Sequence, residues 1–366
     1  MGEQMLSQLF YTVTTRLLEW YTRPRSVGIT LLKYGSALVI ATAGADYAIQ
    51  FARQSKEDGG LSFSIGTGQG IPFWLTLVFA GTGLALVAAG AIILVADYRR
   101  ERRRRLVVIE MRGLHASPDS PAVEKVVPTF RGDRRHLPID FRPQGLEGRV
   151  DPAYLLERVS SMRTALHTLV DGADKRDVQV AIGGLAAVPA LFLAGMLIDD
   201  ESHVHLYDWD RSAKCWRALD GADDSVRFLP PEGGPTAVGA EEAILVVEAS
   251  YAVNQTDVTA SFASSLPVVR LRIETPLADR FWSEQKQAAL AAQFRDAVQQ
   301  LSAAGVRRLH MVVAAPASLS IRLGMCYDRR LLPDVAVYQF EKGLTKPYPW
   351  GLQMPTVGRS AAVVRL

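Results

Sequence analysis

Leu106-Val107-Val108-Ile109-Glu110 is an apolar run of strand length that ends on a carboxylate, and Ile244-Leu245-Val246-Val247-Glu248 repeats it later in the chain. Neither run alternates apolar with polar residues, so each reads as a strand buried on both faces, as in the parallel sheet of an α/β unit. A long amphipathic stretch follows each strand. The first starts at Asp151-Pro152, a capping residue ahead of a first-turn proline, carries Leu155, Val159, Met162, Leu166 and Leu169 at helical spacing, and stops at Gly172. The second runs from about Trp282, with Leu290, Phe294, Val298 and Leu301 on one face, to Gly305.

The repeat continues beyond the helices. Val178-Gln179-Val180-Ala181-Ile182-Gly183 is matched by Leu309-His310-Met311-Val312-Val313-Ala314. A short helix of small residues then reaches Gly195-Met196 in one half and Gly324-Met325 in the other. Tyr207 and Trp209, two apart, answer Tyr338 and Phe340, and Trp216 and Trp350 introduce closing strands. Matches in the same order argue for two Rossmann-like halves related by pseudo-symmetry. Ligands of open α/β sheets sit beyond the carboxyl ends of the strands, so two facing halves would merge their crevices into one pocket. The loops at that end are Arg112-Gly113-Leu114-His115, Gly183-Gly184-Leu185-Ala186, Ser250-Tyr251-Ala252 and Ala315-Pro316-Ala317-Ser318. Their small residues let backbone N–H groups and helix N-termini approach an anion. Arg112 and His115 would add charge and Tyr251 a stacking surface. The plainer reading of any one loop is a tight strand-to-helix turn. The proline- and arginine-rich stretch between His115 and Phe141 sets no clear strand.

Ahead of the repeat lie two apolar stretches, residues 27–52 and 71–96, against the roughly 20 residues needed to cross a bilayer core. The first carries Lys33 and Asp46; the second carries no charge. Six arginines between Arg99 and Arg105 follow the second stretch, and Arg16, Arg23 and Arg25 precede the first. This bias places both termini in the cytoplasm. Ala37, Ala41 and Ala45 in the first stretch, and Gly81, Ala85 and Ala89 in the second, recur at helical spacing and form faces for close helix approach. They would serve either to pack the hairpin or to associate hairpins with one another. Asp46 would reach the outer interface or face water in an assembly. Leu6, Phe10, Leu17, Leu18 and Trp20 suggest an interfacial amphipathic helix within the first 26 residues.

Of 366 residues, 41 are Lys or Arg and 38 Asp or Glu, a net charge of +3 that does not suit a nucleic-acid coat. Cys215 and Cys326 are the two cysteines, too few for a disulfide framework or a thiolate metal cluster. Nucleophile-elbow, zinc-protease and Walker motifs do not occur. Gly66-Thr67-Gly68-Gln69-Gly70 has no strand before it, and His203-Val204-His205 lacks a counterpart in the second half, which carries Val335-Ala336-Val337 there. Neither a catalytic set nor a metal or cofactor site is expected.

Arg308-Leu309-His310-Met311-Val312-Val313-Ala314-Ala315-Pro316, then Leu323-Gly324, Val335-Ala336-Val337-Tyr338 and the segment Tyr348 to Leu352, resemble the ending of SAVED domains, the sensors of cyclic-oligonucleotide-based antiphage signalling (CBASS). The likeness extends less sharply over residues 106–356, and the hairpin is similar to that of the two-transmembrane SAVED effectors. The resemblance implies two fused CARF-like halves, 106–225 and 240–356, behind a cytoplasmic segment 1–26, a transmembrane hairpin 27–97 and a basic linker 98–105, with a tail at 357–366. It further implies that a cyclic oligonucleotide, often a trinucleotide made by a partner nucleotidyltransferase, binds the central pocket. Binding would drive homo-oligomers whose hairpins disrupt the lipid of the bacterial inner membrane and arrest growth. Two alternatives remain at this point: a passive membrane-anchored receptor that signals through a partner, and a membrane-tethered enzyme that degrades the nucleotide it binds.

Overall fold

The computed structural model describes residues 27–57, 73–113, 126–142, 150–198, 203–233 and 240–366. Contacts divide the chain into two units, Met1–Arg102 and Arg103–Leu366. Segment 1–26, the Gly66–Gly70 run, His115 and Asp199, Asp200 and Glu201 lie outside the described residues, as do the side chains of Ala45 and Asp46.

Among the described residues, the first unit holds two helices, α1 (Val27–Glu57) and α2 (Phe73–Arg103). Within α2 the stretch Leu77–Arg103 is long and apolar enough to cross a membrane, whereas Val27–Thr42 of α1 is apolar but shorter. The helices meet along glycines set seven apart. A Cβ on Gly35 would stand 2.7 Å from the Gly83 carbonyl oxygen, and one on Gly90 2.7 Å from that of Gly28. Side chains at these four positions would push the backbones apart, so only glycine permits this approach. The alanine faces lie elsewhere. Ala37, Ala41, Ala85 and Ala89 are exposed, and a Cβ on Gly81 would meet nothing within 4 Å. Residues 98–103, expected as part of a linker, continue α2, and Arg104 alone separates that helix from β1 (Arg105–Arg112).

The second unit contains two sheets of matching order. In the first, β2 (Asp133–Asp140), β1, β3 (Val178–Leu185) and β4 (Val204–Asp210) run parallel, and β5 (Cys215–Ala218) closes antiparallel to β4. In the second, β7 (Val268–Arg272), β6 (Glu242–Glu248), β8 (Arg308–Ala314) and β9 (Asp334–Gln339) repeat that arrangement. β10 (Trp350–Gln353) closes it antiparallel to β9. The segment 357–366, expected as a tail, includes β11 (Ala362–Arg365), which pairs with β10. β2 was illegible because it is charged and contains Pro138, which an edge strand tolerates since it hydrogen-bonds to β1 on one side only.

The helices form largely where their caps and apolar spacing place them. Asp151 accepts a hydrogen bond from the Ala153 amide, and Ser283 caps α7 (Glu284–Ala303). The stretch after Asp151 is not one helix but two, α3 (Pro152–Ser160) and α4 (Met162–Val170). They break at a serine pair, where the Ser161 hydroxyl donates to the Arg158 carbonyl. Gly172 and Gly305 follow α4 and α7 at φ +70° and +101°, the left-handed conformation that ends helices. A short helix, α6 (Gln255–Ser261), links β6 to β7.

Between the sheets lie α5 (Val188–Leu197) and α8 (Ala317–Met325). α5 is apolar on every face because every face is covered. The two helices cross at Gly195 and Gly324: a Cβ on either would overlap a carbonyl of the other helix, Ile321 or Phe192. One apolar core runs through both halves, from Val107 and Leu155 to Leu323 and Leu352.

Candidate functional site

The cavity sits where the fold argument places it, at the carboxyl ends of strands from both halves, with a volume of about 200 Å3. The first half supplies Gly184, Leu185 and Ala186 after β3, Val188 and Leu191 of α5, and Asp208, Trp209 and Arg211 at the end of β4. From the second half come Ser250 and Tyr251 after β6, the Ala278–Trp282 loop before α7, and Ala315 to Ser318 at the start of α8.

Its central polar feature joins the halves. Asp208 is 8% exposed, and one of its carboxylate oxygens accepts from the Ser318 amide at 3.1 Å and the Ser318 hydroxyl at 3.0 Å, at the N-terminus of α8. The other accepts from the Trp209 amide at 2.8 Å. Burial pushes the Asp208 carboxyl above the usual range, opposed by these hydrogen bonds. Gln287 Nε2 donates to the Ser318 hydroxyl at 2.8 Å and to the Phe281 carbonyl at 2.7 Å, leaving its Oε1 buried without a partner. The pseudo-symmetric position tells the same story with a neutral group. Gln339 ends β9 as Asp208 lies near the end of β4, and its Oε1 accepts from the Val188 amide at the N-terminus of α5. Each half thereby caps the short helix of the other.

Aromatic surfaces surround this centre. Trp209 packs edge-on against Trp216, Tyr251 is 57% exposed at the cavity, and the Arg217 guanidinium lies 4.9 Å from the Trp282 ring centroid. The Ala278–Trp282 loop is held in place from behind: Lys286 Nζ, on a nearly buried side chain, donates to the Arg280 carbonyl and to Asp224 at 2.8 Å. Asp279 in that loop has φ +60°, unusual outside glycine.

Of the residues expected at the site, Gly184, Ser250, Tyr251, Ala315, Pro316 and Ser318 line the cavity. Gly183 sits one residue back, where a Cβ would strike the Tyr207 carbonyl and ring, and a Cβ on Gly184 would strike the Met111 backbone. Strand packing thus requires both glycines whether or not a ligand approaches them. Gly113 packs on Phe141 and Ala186. Arg112 turns to the buried Glu110, donating from Nε at 2.9 Å, and His136 stands 3.1 Å from the same carboxylate. In the second half Glu248 is served likewise by Arg270 Nη1 at 2.8 Å and the Val253 amide at 2.6 Å. The carboxylates that end both signature apolar runs are therefore structural ion-pair centres. Sequence reasoning did not single out Asp208, Trp209, Arg211 or the Ala278–Trp282 loop. The first two lay within the repeated aromatic pair; the loop belongs to no repeat and carries no such signal.

Among the described residues no group of three or more His, Cys, Asp or Glu side chains could hold a metal ion. His205 is exposed, and partial burial of its ring holds its pKa below the usual imidazole range.

Residues 162–354 match the family model SAVED, "SMODS-associated and fused to various effectors sensor domain", and residues 7–156 match Saf_2TM, "SAVED-fused 2TM effector domain". No curated protein matches the sequence. Among solved structures, an Acinetobacter baumannii Cap4 SAVED/CARF-domain containing receptor with the cyclic trinucleotide 2'3'3'-cAAA is similar at 14% identity and a TM-score of 0.48. The match covers 80% of this chain and 59% of that one, so this chain spans less than two thirds of its length. A Moraxella osloensis Cap4 SAVED/CARF-domain containing receptor is similar at 13% identity and a TM-score of 0.46, covering 97% of this chain and 85% of that one.

Proposed function

The chain belongs to the SAVED family of sensor domains, and on that premise we propose that it binds a cyclic oligonucleotide between its two halves and responds by assembling and disrupting a membrane. The SAVED-fused 2TM effector region ahead of the sensor supports association with a membrane, and the pairing of the two supports a receptor and effector rather than an enzyme. On this reading it acts in CBASS-type antiviral defence, at the bacterial inner membrane with both termini cytoplasmic, downstream of a nucleotidyltransferase that makes the ligand.

One observation carries the reading: the cavity draws its walls from both halves. An occupant touching both can favour one arrangement of the halves over another, by as much as its affinities for the two differ. Assembly would then concentrate hairpins whose exposed small-residue faces, Ala37, Ala41, Gly81, Ala85 and Ala89, associate too weakly as single copies.

Thermal unfolding of the full chain in lipid nanodiscs, against a panel of cyclic di- and trinucleotides, tests the sensor. A ligand at about 100 times its dissociation constant adds roughly 2.7 kcal/mol; no shift across the panel overturns the reading. Liposome leakage with any ligand found tests the effector. Replacing Gly81, Ala85 and Ala89 by leucine is expected to abolish leakage and preserve binding. Persistent leakage would mean that these faces do not form the lesion.

A further inference from the structure

The cavity is poor in positive charge for a ligand that carries several phosphates. Its charged lining residues are Asp208, Arg211 and Asp279, one cation against two carboxylates. The donors that a phosphate would take at the start of α8, the Ser318 amide and hydroxyl, are already committed to Asp208. Displacing that carboxylate would strand a buried charge, so a phosphate gains little there. What the wall offers instead is acceptors, the oxygens of Asp208, which lines the cavity. Phosphodiesters only accept; nucleobases donate through ring N–H and amino groups. Size points the same way, since about 200 Å3 is below the roughly 300–1,000 Å3 of pockets that enclose drug-sized ligands. A nucleobase fits, and a macrocycle of three nucleotides does not.

Resting on the cyclic-oligonucleotide reading, we infer that the cavity takes one nucleobase of the ligand. The base stacks on Tyr251 or Trp209 and donates an N–H to Asp208, while the phosphodiester ring remains at the mouth with Arg211 as its cationic contact. Recognition is then by base rather than by phosphate.

The test measures dissociation constants of the full chain in nanodiscs for cyclic trinucleotides built from adenine, guanine, cytosine or uracil, each from 50 to 500 mM salt. One phosphate contact gives a slope of log affinity against log salt near −0.7, and three give about −2. The expected slope is −0.7 or shallower, and Arg211→Gln abolishes it. Asp208→Asn keeps its single side-chain oxygen as the acceptor for Ser318 but puts an amino group in place of Oδ1, and is expected to weaken binding at least tenfold. A slope near −2, or unchanged affinity in folded Asp208→Asn, overturns base-first recognition and leaves the ligand class standing. If that variant does not fold, the salt slope and Arg211→Gln decide alone. Failure of every cyclic nucleotide to bind overturns both readings.

Discussion

At the scale of single residues, Asp208 ties the halves together while bearing the desolvation of a buried carboxylate. Asp208→Ala removes acceptors from Ser318 and is expected to destabilise the sensor by about 1–3 kcal/mol, read as a fall in urea midpoint. Asp208→Asn retains an acceptor, sheds the charge and should fall well short of that loss. The pH dependence has a defined sign. With its folded pKa raised above the ordinary carboxylate value, the native state binds more proton than the unfolded chain at pH between the two values. This group's contribution to stability therefore increases as pH falls through the raised value and levels off below about 3.8. Arg211 and the Ser318 and Trp209 donors face the carboxylate and limit the rise. Urea midpoints between pH 7 and 4 should show a component of this sign that Asp208→Asn lacks. Glu242 works in the opposite direction: its hydrogen bond from His310, aided by Arg308, lowers its pKa, so its contribution is lost on acidification. The sequence does not mark Asp208 out, because a lone acid between two aromatics looks like any strand end; its role depends on a helix more than a hundred residues away.

Among elements, the hairpin and its exit carry the clearest consequences. The alanine spacing in the sequence was legible, but the seam itself is built by Gly28, Gly35, Gly83 and Gly90. Periodicity cannot say which of several small-residue faces meets its neighbour. Gly35→Leu is expected to splay the hairpin, lowering its thermal stability in detergent while leaving ligand affinity unchanged. Arg104 is the one residue between α2 and β1, and Arg105 is anchored in turn through donors to the Leu169 and Asp171 carbonyls. Inserting six Gly-Ser residues at Arg104 should preserve binding and reduce ligand-triggered leakage at least several-fold; unchanged leakage would show that the join transmits no strain. The Ser161 break escaped the sequence because a local hydrogen bond rather than apolar period decides it, and the β2 edge strand because its charge and Pro138 hide its pairing with β1.

Over the whole molecule, the repeat was the most legible feature, since buried parallel strands and their flanking helices impose the same pattern twice. The contact between halves was legible only as matching Gly195 and Gly324, whose reason appears where α5 and α8 cross. Gly195→Val or Gly324→Val forces a side chain into backbone that cannot yield and should cost at least about 3 kcal/mol, visible as loss of soluble full-length protein or a sharply lowered Tm.

Asp208 and Gln339 occupy equivalent places in the two halves, one an acid and the other an amide. Two identical subunits would carry the same group on both sides and would accept an unsymmetrical ligand equally well in two opposite poses. A fused chain escapes that degeneracy. Its cavity, lined by Asp208 and not by Gln339, has a left and a right, so under the proposed reading it would distinguish ring isomers that differ only in the order of their bases or the position of one linkage.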